Sequence, residues 1–238
     1  MSVSVVCWLW NGVHLGDRPY LPAHVNTLQR MVARHLSQPH RFICVADSAA
    51  GFDPAVEVLI TPPEAREIGK HRSPEGQRFP SCYRRLWTFS AAARALGERV
   101  LMIDIDLVVT RDLMPIFSMQ EDFVGWRPFR DWGRQFRFGG GIYLLTTGTR
   151  THVWDDFAGE KSIRAARAAG YRGSDQAWLS YCLGKRNEAH WNRESGIYSI
   201  RDMSGAEHRL PADARIVQFN GKTKPWQSSL PWVVEHFR

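Results

Sequence analysis

"RVLMIDIDLVV", residues 99–109, decides the fold. Its first half is an apolar run ending in an aspartate, the pattern of a strand covered on both faces in a parallel sheet. Asp104 and Asp106 close it, one residue apart. The two-residue period of an extended chain places both carboxylates on one side, at the carboxyl end of the strand. Open α/β sheets bind their ligands at that edge. Adjacent carboxylates repel unless a cation sits between them. A hard divalent ion, Mn²⁺ or Mg²⁺, bridging to a diphosphate suits that chemistry. Asp-x-Asp alone is a common pattern, and its place at the end of an apolar strand is what gives it weight.

Outward from this stretch, strand and helix patterns alternate. Residues 3–10, 41–46, 56–60, 123–126, 142–146 and 215–219 read as strands. Residues 21–36 carry Leu21, Val25, Leu28, Val32 and Leu36 at helical spacing. Residues 81–96 read as one helix, capped by Ser81, with Tyr83, Leu86, Phe89 and Ala93 on one face and Gly97 as its stop. Residues 151–158, 163–169 and 176–183 also read as helical, and 230–238 as a short amphipathic helix. Residues 61–80, rich in Pro, Gly and charge, predict a long mobile loop. The alternation predicts an α/β chain with a central, mainly parallel sheet flanked by helices. We expect one Rossmann-like domain over 1–238, with a donor and metal half over about 1–110 and an acceptor half over about 111–238.

Composition narrows the class. Hydrophobic residues make up 44% of the 238, which excludes a disordered chain. Cys7, Cys44, Cys82 and Cys182 show no paired spacing, which argues against a disulfide framework or zinc site and for a reducing compartment. No apolar run reaches membrane-spanning length, and "MSVSVVCWLW" lacks a basic leader, so a cytoplasmic protein is expected. Trp232 and Phe237 near the end suggest contact with a membrane surface. The net charge is +7, carried mostly by Arg with only five Lys. Arginine forks suit phosphate, so nucleotides, anionic surfaces and nucleic acid are the partners to weigh.

Four further stretches carry chemistry. "SCYRRLW", 81–87, puts Arg84 and Arg85 on the segment feeding the Asp104 strand. "GGGIYLLTTGT", 139–149, sets three glycines at the mouth of a strand, where a bare backbone implies a close approach by something else. "GSDQAWLS", 173–180, opens a helix with Ser174 or Asp175 as cap, and leaves Gln176 an amide for a ligand. "VQFNGKTKPW", 217–226, runs into a glycine turn with Lys222 and Lys224, a setting that suits phosphate oxygens. "WRPFRDWGRQFRF", 126–138, alternates Arg with aromatics, which can stack on sugars or hold an anionic acceptor, and also suits single-stranded nucleic acid.

Taken in order, Tyr83-x-Arg85-Leu86, "VLMIDIDLVVTRDLMPIF", "GGGIYLL", Asp175-Gln176 and Gly221-x-x-Lys224-Pro225-Trp226 resemble the retaining GT-A glycosyltransferases of family eight. The matching blocks span about 80–226. The resemblance implies a nucleotide-sugar donor, usually a UDP-hexose, with Mn²⁺ (or Mg²⁺) and a saccharide or lipid-linked acceptor. Asp104 and Asp106 would bind the metal, Asp104 also touching the ribose. Arg85 would contact the donor, together with the bared backbone of Gly140 and Gly141. Asp175 would hold sugar hydroxyls, Gln176 would lie beneath the anomeric carbon, Lys224 would grip the diphosphate and Gly221 would admit it.

The chain departs from that pattern in three places. Gln218 stands where the family places a metal-binding His, and an amide oxygen ligates a hard cation less tightly than a carboxylate. Gly139-Gly140-Gly141 replaces a common Asn-x-Gly, and "WLWNG" lacks an acidic residue often found there. These departures keep two alternatives in view: transfer to a modified base in DNA, and a decayed transferase that only binds nucleotide sugars.

Overall fold

A computed structural model describes residues 3–10, 20–72, 81–128, 138–184, 187–203 and 208–238. Its main sheet has seven strands: β1 (Val3–Leu9), β2 (His40–Ala46), β3 (Glu57–Ile60), β4 (Arg99–Ile103), β6 (Phe123–Trp126), β7 (Gly139–Thr146) and β8 (Ala189–Trp191). They lie in the order β3-β2-β1-β4-β7-β6-β8. The first four run parallel; β7 is antiparallel to both β4 and β6, and β8 is parallel to β6. A second sheet, in the order β5-β10-β9, joins β5 (Leu107–Val109), β9 (Ile197–Ser199) and β10 (Ile216–Gln218).

The two-residue period of the strands builds two apolar layers. Val5, Cys7 and Leu9 of β1, with Leu101 and Ile103 of β4, face one cluster with Val25, Leu28, Met31 and Val32 of helix α1 (Pro22–His35). Val6 and Trp8, with Val100 and Met102, face the other, with Tyr83, Leu86 and Phe89. Every residue of β1 and β4 is buried, as the apolar runs predict. Burying a side chain such as Leu28 contributes about 1.5–3 kcal/mol.

The remaining helices are α2 (Pro63–Ile68), α3 (Met114–Phe117), α4 (His152–Asp155), α5 (Glu160–Ala168), α6 (Asp175–Leu183) and α7 (Pro231–His236). α2 lies inside the stretch expected to be a loop, with Pro63 at its start, a position where the missing N–H costs nothing. The expectation of a mobile 61–80 loop is corrected there, and residues 73–80 lie outside the described residues.

Residues 81–96 do not form one α-helix. Two 3-10 segments, Cys82–Phe89 and Ala91–Leu96, are separated by Ser90, whose ψ of 158° is extended. Tyr83, Leu86 and Phe89 are three apart, and a 3-10 helix stacks such residues directly above one another. All of residues 83–89 are buried, which compensates for the poorer hydrogen bonds. The Ser81 hydroxyl caps nothing and is buried without a hydrogen-bond partner among the described residues. Gly97 does end the segment, at a φ of 115°.

The C-terminal aromatics Trp232 and Phe237 are half-buried and pack against the fold. Trp232 donates Nε1–H to the carbonyl of His208 at 2.9 Å and lies 6.0 Å from the Phe219 ring. Phe237 packs 6.3 Å from Trp226. Among the described residues, no helix is long and apolar enough to cross a membrane.

Candidate active site

β4 ends at Ile103, and the next residue, Asp104, reaches the carboxyl edge of the sheet. Its N–H donates to the carbonyl of Gly141 on the neighbouring strand at 2.8 Å. Two residues on, Asp106 leads into β5; its carbonyl accepts from the Phe219 N–H at 2.8 Å, just past the end of β10. The strand turns from the main sheet into the small one between these two carboxylates.

Arg85 joins the first carboxylate to a third one. Its side chain is only 9% exposed. Nη1 pairs with Asp104 Oδ1, while Nε and Nη2 reach Asp175 Oδ2 at 2.8 and 2.7 Å. Asp175 is the first residue of α6. Its other oxygen accepts from the Ser174 hydroxyl at 3.0 Å, so Ser174 steadies the aspartate rather than capping the helix. Lys224 answers the second carboxylate: Nζ pairs with Asp106 Oδ2 and also donates to the Phe219 carbonyl at 3.2 Å. Tyr20 donates its hydroxyl to the same Asp106 oxygen at 2.8 Å. Sequence reading missed Tyr20, which belongs to no motif and precedes a helix.

These pairs set the electrostatics. Burial pushes the Asp104 carboxyl above its usual range, Arg85 opposes this, and the charges of Asp106 and Asp175 add to the rise. Burial likewise raises Asp175, against the pull of Arg85 and the Ser174 hydroxyl. Burial works against the Arg85 guanidinium, yet Asp104 and Asp175 together hold it well above its ordinary value. Among the described residues, three carboxylates, Asp104, Asp106 and Asp175, face two cations, Arg85 and Lys224, which leaves one negative charge over when all are ionised.

That remainder frames the test for a divalent cation. Gln218 donates Nε2–H to Asp104 Oδ2 at 2.9 Å, while its Oε1 is buried without a partner among the described residues. The amide oxygen therefore stands beside the aspartate pair with unused acceptor capacity. A methyl group on Gly141 would collide with both Gln218 Nε2 and Asp104 Oδ2, so the bare backbone there is what lets these two side chains meet. An all-oxygen donor set, a net negative charge and an orphaned acceptor fit a hard cation. Among the described residues no group of three or more His, Cys, Asp or Glu is so arranged. The fit depends on Gln218 as the third donor.

The glycine run is now explained, with a correction. Gly139–Thr146 is strand throughout, so the glycines belong to β7 rather than to a loop at its mouth. Each makes room for a different side chain. A methyl at Gly139 would lie 2.6 Å from Trp126, and one at Gly140 would lie 3.1 Å from Asp175 Oδ2 and 3.2 Å from Gln176 Cβ. Gly141→Ala is expected to cost about 1–3 kcal/mol through overpacking against pinned partners. Gly140→Ala, with looser contacts, should cost clearly less. Urea unfolding of both variants checks this, and equal losses would show that Asp104 and Gln218 yield freely.

Of the other expected residues, Gln176 follows Asp175 on α6 and packs over Gly173, whose φ of 100° no side chain would tolerate easily. Among the described residues, Gly221 has no side chain near its missing Cβ closer than Arg201 Nε, at 3.9 Å, so its backbone face is open to them. Structure thus gathers Arg85, Asp104, Asp106, Gly140, Gly141, Asp175, Gln176, Gln218, Gly221 and Lys224 around one sheet edge. The Arg-aromatic stretch is described only at its ends: Trp126 is buried, Arg127 exposed and Phe138 buried, while 129–137, with Arg130, Arg134 and Arg137, lies outside the described residues.

No protein-family model matches the chain, and no curated protein matches it in sequence. Solved structures do. The galactosyltransferase LgtC, in complex with donor and acceptor sugar analogues, superposes with a TM-score of 0.63 at 14% identity, over 95% of this chain and 90% of that one. The glycosyltransferase GlyE of Streptococcus pneumoniae gives 0.61 at 14% identity, over 95% of this chain and 56% of that one. Mouse xyloside xylosyltransferase 1 gives 0.56 at 13% identity, over 92% and 98%. At such identities the likeness is one of architecture, and the chain has the mainly parallel α/β fold of the GT-A glycosyltransferases.

Proposed function

We propose that this protein is a metal-dependent, retaining glycosyltransferase that moves a hexose from a nucleotide sugar, a UDP-hexose above all, to a saccharide or lipid-linked acceptor. The observation that carries it is the convergence of Asp104, Asp106, Gln218 and Lys224 at one sheet edge, with Arg85 locking Asp175 beside them.

Asp104, Asp106 and the Gln218 amide oxygen would hold Mn²⁺ or Mg²⁺. Bound there, the ion supplies positive charge to the departing diphosphate. Lys224 supplies a second positive charge from the turn, and the open backbone at Gly221 leaves space for a phosphate to approach. Arg85 fixes Asp175 so that it can hold sugar hydroxyls. Gln176, next along α6, would steady the sugar as positive charge develops on it. A carboxamide is a poor nucleophile, so attack by the acceptor hydroxyl from the leaving-group face fits these residues better than a covalent enzyme adduct.

A panel of nucleotide sugars tests the reading. Slow hydrolysis of one donor, lost on chelation and restored by Mn²⁺, is the expected result, with the released sugar keeping its anomeric configuration by NMR. Binding of a donor with no turnover under any metal condition would favour a decayed, binding-only protein. No binding at all would confine the likeness to the fold.

A further inference from the structure

Beside the Gly221 turn lies a cavity of about 380 Å³, lined in part by Phe219, His208 and Gly221 itself. It is bounded by the 3-10 turn Ile200–Asp202, by His208, by the turn itself and by residues 227–230. Arg201 and Lys222 line it, both exposed, so the cavity reaches solvent. No acidic side chain lines it among the described residues. The Nδ1 of His208, in the same lining, is shielded from solvent and has no hydrogen-bond partner among the described residues. Ser228 and Ser229 add hydroxyls, and Ile200 and Leu230 add apolar surface.

Two cationic side chains, two hydroxyls and a ring nitrogen that can carry a proton, all around one space, describe an anion site, and oxyanions of phosphate are what such donor sets hold. The volume exceeds what one phosphate needs and lies at the small end of ligand pockets, so an attached organic group fits with it. Arg201 Nε lies 3.9 Å from where a Gly221 Cβ would be, so the cavity and the proposed diphosphate turn share a wall.

We propose that this cavity binds a phosphoryl group on the acceptor, making the acceptor a phosphorylated or phosphate-linked molecule with an apolar portion. This rests on the transferase reading above and deepens it, since that reading leaves the acceptor's charge open. The donor's own diphosphate is the other source of phosphoryl chemistry, and the experiment separates the two. Calorimetric titration with octyl phosphate, with octyl glucoside as the neutral control, is run on wild type and on Arg201→Gln. The variant keeps a polar side chain at an exposed position outside the donor turn and should fold. Octyl phosphate is expected to bind wild type, also in the presence of saturating UDP, and to lose about tenfold in affinity in the variant, the scale of one charge-assisted hydrogen bond. UDP affinity, measured in parallel, is expected to stay within twofold. The proposal is overturned if octyl phosphate does not bind, if octyl glucoside binds as well, if the variant binds octyl phosphate unchanged, or if UDP displaces it one for one. Failure of the transferase reading shows differently, as wild type that binds no nucleotide or nucleotide sugar.

Discussion

Arg85→Met loses about 3–5 kcal/mol of folding stability, the range expected when one partner is removed from a buried ion pair, and it loses sugar transfer as well. Methionine fills the guanidinium's volume but leaves Asp104 and Asp175 facing each other with their shared cation gone. Asp175, with a side chain only 7% exposed, has little water to turn to. Its carboxyl already titrates above the usual 3.8 because of burial, and removing Arg85 takes away the main opposing influence. A raised folded-state value means that stability from this group is present below the unfolded value and is lost as pH rises through the folded one. The variant's deficit should therefore be larger at pH 7 than at pH 5, because lower pH favours the neutral form of the carboxyl. Arg85→Lys restores the charge without the fork, so it should satisfy one carboxylate and recover part of the loss. Urea unfolding of the three proteins at both pH values decides the matter. A methionine variant as stable as wild type at pH 7 would mean that the two carboxylates do not both depend on Arg85.

The parts of this molecule that the sequence made legible are those governed by periodicity. Apart from Ser4 and Arg99, β1 and β4 are apolar because both of their faces are covered, and nothing distant is needed to see that. The 81–96 segment was misread for a physical reason: Tyr83, Leu86 and Phe89 at intervals of three satisfy an α-helical face and a 3-10 stack equally well. Only the extended Ser90 distinguishes them, and serine is compatible with either. The site residues were recognisable as blocks in order along the chain, yet their pairing was not. Arg85 reaches Asp175 across 90 positions and Lys224 reaches Asp106 across 118, and no local spacing encodes which cation meets which carboxylate. The glycines were marked as needing a bare backbone, and that need is real. The neighbours they accommodate are Trp126, Asp175 and the Asp104–Gln218 pair, which requires the fold to reveal. Tyr20 has no sequence signal because a single tyrosine before a helix is unremarkable until Asp106 is found beside it.

Asp106→Asn separates two roles that meet in one side chain. The carboxylate is proposed to hold a divalent cation, and it already neutralises Lys224, whose side chain is 11% exposed. Asparagine keeps the shape and can still accept from Tyr20, so the fold should survive where alanine would leave a buried ammonium with less support. Removing the charge acts in opposite directions on the two roles. Metal-stimulated donor cleavage should fall by a factor on the order of 10²–10³, the scale of losing one well-placed electrostatic contact to a departing group. UDP binding in chelator, by contrast, should tighten, because Lys224 is released from its anionic partner and can offer its full charge to the diphosphate. Titration of UDP with and without Mn²⁺, alongside a hydrolysis assay, reads both. Wild type should show a clear gain in UDP affinity on adding Mn²⁺, and the variant should show none while starting from a higher metal-free affinity. If Mn²⁺ strengthens UDP binding equally in both proteins, Asp106 holds Lys224 only, and the cation, if one is used, is held without it. If the variant binds UDP more weakly in chelator, the Lys224–Asp106 pair orders the turn for phosphate instead of competing with it, and the lysine reaches the donor only when the aspartate positions it.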